Sequence, residues 1–215
     1  MRCKLSTAVL SVATAGALLL TGCSSSGDNP SSGPNSSAAA SPTGTPASGP
    51  HNTTDVSFAS DMIPHHAQAV QMADMALTQA TSAEVKTVAT AIKAAQDPEI
   101  ATMSGWLAGW GETVPATSMG MGGTGMGGMD HSMGSGTGMM SEADMTALGD
   151  ARGAAFDRMW VSMMISHHTG ALEMATTELA DGQNADAQSL ARSIVTSQTA
   201  EITTMKQLLT TLPAA

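Results

Sequence analysis

The chain has few aromatic residues, few basic residues and almost no cysteine. Aromatic side chains make up 2% of its 215 residues and tyrosine is absent, so any core must be built of Ala, Leu, Ile, Val and Met. Lys and Arg number 8 against 18 Asp and Glu, which argues against nucleic acid or an anionic lipid surface as a partner. The net charge of −10 serves either solubility or the attraction of cations.

Motifs for several kinds of chemistry are also missing. The sequence contains no nucleophile motif, no phosphate-binding motif and no Glu-x-x-His pair of the kind that di-iron carboxylate bundles require. Its N-terminal apolar run is shorter than the roughly 20 residues that span a bilayer. These absences disfavour most enzymes, and a metal-dependent oxidase is only the weakest alternative.

The N-terminus has the pattern of a bacterial secretory signal that ends in a lipobox. Arg2 and Lys4 precede the apolar run, and Leu-Thr-Gly leads directly into Cys23. This pattern predicts removal of residues 1–22 and attachment of lipid to Cys23, which would hold the chain at the cell membrane on the extracytoplasmic side. Cleavage also removes Cys3, so no intramolecular disulfide is expected. An ordinary secretory signal or a short membrane anchor is the alternative.

Composition divides the mature chain into a tether and a folded part. Residues 23–52 are rich in Ser, Gly, Pro, Ala and Thr, which predicts a disordered tether. Residues 53–215 are predicted to fold, with a first hairpin over 53–114, a Met/Gly-rich loop over 115–140 and a second hairpin over 141–215.

The folded part contains a duplicated unit. A shift of 102 residues superposes "DVSFASDMIPHHAQAVQM" on "DRMWVSMMISHHTGALEM", and the match continues without a gap into the following segment. In each copy, apolar residues recur at spacings of three and four, as in amphipathic helices. Two helical hairpins, turning near Thr81 and Gln183, must bury these stripes against one another. We therefore predict an all-α, antiparallel four-helix bundle.

Four of the six histidines form two His-His pairs at equivalent positions of the repeat. The expected hairpin register brings His65 close to Glu99 and His167 close to Glu201. Burying an imidazole or a carboxylate without a partner costs roughly 1 to 3 kcal/mol, so the cluster needs a stabilising contact. Either each histidine bonds its glutamate in a polar layer, or the pairs together hold a metal ion.

Methionines near the histidines favour the metal. Imidazole suits Cu, Zn, Fe and Ni, whereas thioether sulfur selects Cu(I). The combination indicates copper, as Cu(I) in preference to Cu(II), with other transition metals as alternatives. The predicted ligands of this site are the paired histidines with the methionines and glutamates of both copies: His65, His66, His167, His168, Met62, Met72, Met103, Met164, Met174, Met205, Glu99 and Glu201.

The loop carries a second soft-metal pattern. Residues 118–140 contain seven Met and nine Gly, and thioethers separated by glycine can wrap a soft ion. A low-complexity connector or an oxidant sink is the alternative. The predicted secondary metal site consists of Met119, Met121, Met126, Met129, His131, Met133, Met139 and Met140.

The doubled motif Asp-x-x-(aromatic)-x-x-x-Met-Ile-x-His-His-x-x-Ala-x-x-Met resembles a bacterial family, the domain of unknown function 305, over about Asp55 to Leu209. The resemblance implies a ferritin-like four-helix bundle, usually exported, and some members are associated with copper binding and copper tolerance. The motif positions that it marks are Asp55, Met62, His65, His66, Met72, Asp157, Met164, His167, His168 and Met174.

The preferred function is therefore that of an extracytoplasmic lipoprotein that binds or sequesters copper, or confers tolerance to it. Its partners would be the metal ion and, through lipid on Cys23, the membrane. No nucleic acid is expected, and the sequence does not indicate a protein partner. The main alternative is a structural or interaction lipoprotein in which the histidines and glutamates form only a polar layer.

Overall fold

The described part of the chain, residues 49–117 and 138–214 of a computed structural model, folds into five helices. The first hairpin comprises α1 (Thr53–Gln79) and α2 (Ala83–Trp110). The second comprises α4 (Gly153–Asp181) and α5 (Ala185–Thr211), and α1 packs against α4 between the hairpins. This is the predicted antiparallel four-helix bundle. None of the described helices is both long and apolar enough to cross a bilayer. The fifth helix, α3 (Glu142–Asp150), is short and precedes α4.

Polar caps define where three of the four long helices begin. Asn52, Ser82 and Asn184 accept hydrogen bonds from backbone N–H groups in the first turns of α1, α2 and α5, which satisfies donors that have no partner within the helix. The turns between paired helices are only three residues long and lie where the repeat predicted them. The sequence reading missed the short helix α3, although Ser141 and Asp144 form a capping box at its start.

Two hydrophobic clusters fill the two ends of the bundle. The Phe58 cluster joins the early parts of α1 and α5 to the late parts of α2 and α4. The Trp160 cluster joins the late parts of α1 and α5 to the early parts of α2 and α4. Because both clusters use many alanines, the helices can pack closely despite the scarcity of aromatic residues. The middle of the bundle, between the clusters, is where the paired histidines lie.

The two aspartates that begin the repeated motif connect the hairpins to each other. Asp157 on α4 accepts hydrogen bonds from the backbone nitrogens of Thr81 (3.0 Å) and Ser82 (2.9 Å), in the α1–α2 turn. Asp55 on α1 accepts one from the nitrogen of Asn184 (2.8 Å), in the α4–α5 turn. Both carboxylates are buried. Each copy of the motif therefore caps the turn of the other hairpin, which gives these residues a structural role.

One of the two aspartates has a second buried carboxyl beside it. Burial raises the pKa of Glu178, near the end of α4, to about 8, and the hydrogen bond and negative charge of Asp55 contribute to the rise. Burial also raises the pKa of Asp55, but hydrogen bonds from backbone N–H groups and with Glu178 lower it by more. The pKa of Asp55 is therefore below its ordinary value. At neutral pH the pair therefore shares one proton. The position equivalent to Glu178 in the first copy is Ala76.

Candidate metal centre

The four paired histidines form one row across the seam between α1 and α4. The inner pair, His65 and His167, has ring centroids 3.7 Å apart. The outer pair, His66 and His168, lies 6.5 Å and 6.3 Å from its inner neighbours. All four side chains are buried. The row is therefore continuous, and half of it comes from each copy of the repeat.

Each outer histidine is held by a glutamate of its own hairpin. Nε2 of His66 lies 2.7 Å from Oε2 of Glu99, and Nε2 of His168 lies 2.7 Å from Oε2 of Glu201. The expected pairing of these glutamates with the inner histidines was wrong by one residue. Successive helix residues differ by about 100° in direction, so the inner rings face the α1–α4 seam while the outer rings face α2 and α5.

The donor atoms of the row are of the kinds that bind transition-metal ions. A carboxylate on one ring nitrogen fixes the orientation and tautomer of an imidazole and leaves the other nitrogen for a metal. Among the described residues, Nδ1 of His66, Nδ1 of His168 and both nitrogens of His167 are buried with no hydrogen-bond partner. Burial, followed by the charges of the other three histidines, holds the pKa of His167 well below its usual 6.5. This ring is therefore neutral at pH 7, which is the form that binds metals.

Two glutamines that the sequence reading left without a role extend this polar layer. Gln96 and Gln198 lie one turn before Glu99 and Glu201, and only 2% and 3% of their surfaces are exposed. Their side-chain carbonyl oxygens have no hydrogen-bond partner among the described residues. A glutamine on the apolar stripe at the same position of both copies was the signal that could have identified them.

Four fully buried methionines flank the row. Met62 and Met103 belong to the Phe58 cluster, on one side of it. Met164 and Met205 belong to the Trp160 cluster, on the other side. Met62 and Met164 each precede an inner histidine by three residues, which is about 4.5 Å along the helix axis. The polar row thus lies between two pairs of thioethers.

The remaining predicted ligands are more distant from the row or lie outside the described residues. Met72 follows His65 by two helical turns within the Trp160 cluster, and Met174 packs against the Phe58 cluster. Met139 and Met140 are described and partly buried. The candidates outside the described residues are Cys23, Met119, Met121, Met126, Met129, His131 and Met133.

The row is not arranged as a finished coordination shell. Within residues 49–117 and 138–214, no group of three or more His, Cys, Asp or Glu side chains is placed to hold a metal ion. The inner rings are in van der Waals contact at 3.7 Å, so an ion between them would require the rings to separate. The donors are thus gathered in one layer, and a metal ion held by them would require a local rearrangement of side chains.

A duplicated four-helix bundle with a buried layer of histidine and methionine defines the class of this protein. The family description "Domain of unknown function (DUF305)" matches residues 55–209, and the chain belongs to that family. No curated protein matches it.

Solved structures of the same family have a similar fold. The chain is 29% identical to a DUF305 fragment from Deinococcus radiodurans, over 78% of this chain and 99% of the fragment, with a TM-score of 0.64. It is 31% identical to the putative secreted protein DUF305 from Streptomyces coelicolor, over 73% of this chain and 92% of that one, with a TM-score of 0.62.

A third relative is known with metal bound. The chain is 32% identical to CopM in its Cu(I)-bound form, over 74% of this chain and 98% of CopM, with a TM-score of 0.58. CopM has also been solved in Cu(II)-bound and Ag-bound forms. The family to which the chain belongs therefore includes a protein that binds copper and silver.

Proposed function

We propose that this protein binds copper in the histidine row, as Cu(I) in preference to Cu(II), and that it sequesters the ion or confers copper tolerance. The observation that carries the proposal is the set of buried, unpartnered ring nitrogens of His66, His167 and His168, which lie between two pairs of buried methionines. Burying polar atoms without a partner lowers the stability of the folded protein, unless a ligand such as a metal ion binds to them.

The chemistry of the layer favours a soft monovalent ion. Thioether sulfur binds Cu(I) well and harder divalent ions poorly, whereas imidazole accepts both oxidation states of copper. A single positive charge is also less costly to bury than two. The Cu(I)-bound, Cu(II)-bound and Ag-bound forms of CopM support copper as the metal, and the preference for Cu(I) rests on the thioethers.

The contacts among the histidines and glutamates are also consistent with a purely structural role. The outer histidines already bond their glutamates at 2.7 Å, and the inner rings contact each other. If the layer served only to specify the packing of the bundle, replacing the histidines would change the free energy of unfolding and leave metal binding unaffected. Metal binding and stability must therefore be measured on the same variants.

An anaerobic Cu(I) titration of the chain against a chromophoric competitor tests the proposal. We expect the His65→Ala/His167→Ala variant to bind copper at least tenfold more weakly, and Met62→Leu/Met164→Leu to show a smaller loss, since leucine keeps the volume and removes the sulfur. His51→Ala is the matched control, because His51 is an exposed histidine outside the row.

Two results would redirect the proposal. Failure of the wild-type chain to compete for Cu(I), Cu(II) and Zn(II) would contradict it and favour the structural role. Loss of metal binding only on deletion of residues 119–140 would indicate that the metal site lies in the loop and not in the bundle. Circular dichroism of each variant separates lost ligands from lost folding.

We also propose that the protein acts outside the cytoplasm as a lipoprotein anchored through Cys23. The support is the basic and apolar N-terminus followed by Leu-Thr-Gly-Cys. Expressed in full in a bacterium, the wild-type chain is expected in the membrane fraction and to enter the detergent phase, whereas Cys23→Ser is expected to lose that partitioning. Equal partitioning of the two proteins would contradict lipidation at this residue.

A further inference from the structure

A cleft with a volume of about 130 Å³ opens between α1 and α4, beside the first turns of α1 and the last turns of α4. On α1 its lining residues are spaced by three and four, so they lie on one face of that helix. The residues that line this cleft, which we term the Glu178 cleft, are Thr54, Ser57, Phe58, Asp61, Met174, Thr177 and Glu178.

The cleft contains a buried carboxyl group with few hydrogen-bond donors around it. Glu178 is fully buried. Apart from the proton that it shares with Asp55, no described residue donates a hydrogen bond to either of its carboxyl oxygens. Glu178 lies in the last turn of α4, where the terminal carbonyl groups of the helix carry negative partial charge. These surroundings favour a positively charged ligand.

The polar residues of the Glu178 cleft are absent from the equivalent region of the repeat. Under the shift of 102 residues, all of them have apolar equivalents. Thr54, Ser57 and Asp61 on α1 correspond to Phe156, Met159 and Met163, and Thr177 and Glu178 on α4 correspond to Met75 and Ala76. Most of these apolar equivalents belong to the Trp160 cluster or pack against it. The copies have therefore diverged at every polar position of the cleft together.

The equivalent region is also covered by α3, whereas the cleft is open. Leu148 of α3 is buried in the Trp160 cluster, and Met145 packs against it. A Cβ atom at Gly149 would lie 3.6 Å from Cε of Met75, so α3 reaches the residue equivalent to Thr177. Among the described residues, the lining of the Glu178 cleft comes from α1 and α4 alone, which leaves the cleft accessible to a ligand.

A glycine in the α4–α5 turn makes room for the buried acid. A Cβ atom at Gly182 would overlap the carboxyl group of Glu178. The equivalent pair in the first copy is Ala76 and Ala80, in which neither a carboxyl group nor the space for one is present. The glutamate and the glycine thus occur together, in the copy that has the cleft.

We propose that the Glu178 cleft binds a hard divalent cation, Ca²⁺ in preference to Mg²⁺, with the Glu178 carboxylate as its direct ligand. Hydroxyl oxygens of the lining and water complete the coordination, and Asp55 and Asp61 add negative charge. Ca²⁺ takes roughly six to eight oxygen ligands in irregular geometry, whereas Mg²⁺ demands a nearly ideal octahedron. As the ion binds, the proton of Glu178 leaves to solvent. The site uses none of the four histidines of the row.

Isothermal titration calorimetry of the metal-free full chain with Ca²⁺ tests the proposal. At pH 7 we expect a Kd on the order of 0.1 to 1 mM. Because the pKa of Glu178 is about 8, close to one proton should be released per ion, which is measured by repeating the titration in buffers of different ionisation enthalpy. Glu178→Gln should bind Ca²⁺ at least tenfold more weakly and release no proton. Glu173→Gln, an exposed position of the same helix, should behave as the wild type.

A second variant copies the apolar residues of the equivalent region. Asp61→Met/Glu178→Ala should keep its helical circular dichroism and lose Ca²⁺ binding. The proposal would be overturned by a wild-type chain that does not bind Ca²⁺, by wild-type affinity in Glu178→Gln or by equal weakening in Glu173→Gln. Tighter binding of Mg²⁺ than of Ca²⁺ would overturn the stated preference.

The cation site and the copper site can fail separately. We expect His65→Ala/His167→Ala to keep the wild-type affinity for Ca²⁺, and Glu178→Gln to keep the wild-type affinity for Cu(I). Loss of Ca²⁺ binding in the histidine variant, with its fold intact, would place the cation in the histidine row and contradict a separate site.

Discussion

The Glu178→Gln variant is expected to keep its stability as the pH rises from about 5 to 8, whereas the wild-type protein loses stability over the same range. The pKa of Glu178 is about 8 in the folded protein against an ordinary 4.5, so the folded state keeps a proton that the unfolded chain releases. The stability that this proton contributes is fully present below pH 4.5 and is lost as the pH rises through 8. A shift of this size corresponds to a few kcal/mol, on the order of 3 to 5.

Glutamine suits this test because it has nearly the shape of a protonated glutamate and stays neutral at every pH. The measurement is the free energy of unfolding in urea at several pH values between 5 and 8, for the wild type, Glu178→Gln and the control Glu173→Gln. Glu173 is an exposed residue of the same helix, so its replacement should leave the pH profile unchanged. A wild-type profile that runs parallel to that of Glu178→Gln would contradict the buried proton.

Other groups titrate in or near this range, and their effects on stability cancel when the variants are compared. His167 has a lowered pKa, so its effect has the opposite sign: stability falls as the pH drops below its ordinary 6.5. The pKa of Asp55 is also lowered, so its contribution is lost only as the pH falls below 3.8. Both groups are present in every variant, so the difference between Glu178→Gln and the wild type reports mainly on Glu178.

The second large effect is expected at Asp157, whose replacement by alanine should lower the free energy of unfolding by at least about 3 kcal/mol. The change leaves the backbone N–H groups of Thr81 and Ser82 without their acceptor and also removes the bond from the Thr81 hydroxyl. Hydrogen bonds to a buried carboxylate are among the stronger ones in proteins. Since these bonds join α4 to the α1–α2 turn, their loss weakens the contact between the hairpins.

Urea unfolding of Asp157→Ala and Asp157→Asn measures this contribution. Asparagine retains one acceptor oxygen, so we expect an intermediate loss. Asp74→Ala is the matched control, because Asp74 forms an exposed ion pair with Lys93, and such pairs contribute at most about 1 kcal/mol. A loss at Asp157 no larger than that at Asp74 would contradict the capping role.

The repeat made the fold predictable from the sequence. A constant offset between the copies, together with spacings of three and four, was enough to predict two hairpins, their turns and a four-helix bundle. The helix α3 was missed because it precedes the second copy and its sequence has no counterpart ahead of the first. Its signal was local, a serine cap followed by an acidic residue, whereas the prediction relied on similarity between the copies.

The site was predictable as a layer but not in its detailed contacts. Antiparallel pairing places His65 and His66 at the level of Glu99, yet a rotation of about 100° per residue decides which ring the glutamate reaches. Hairpin register inferred from a turn is too imprecise for that choice. The hydrogen bonds between the Gln68 amide and the backbone of Met140 depend on the path of a loop with no periodicity, and no local pattern of residues encodes that path.

The exchange of aspartate caps between the hairpins has a consequence for how such a protein assembles. One hairpin alone contains an aspartate with no turn of its own to cap and a turn with no aspartate, and two identical hairpins side by side satisfy both. A half-length ancestor of this design would therefore have been complete only as a symmetric dimer. When two such halves are joined in one polypeptide, their association no longer depends on protein concentration. It depends on the effective concentration that the linker sets. The fused halves are then free to diverge, as Glu178 has from Ala76.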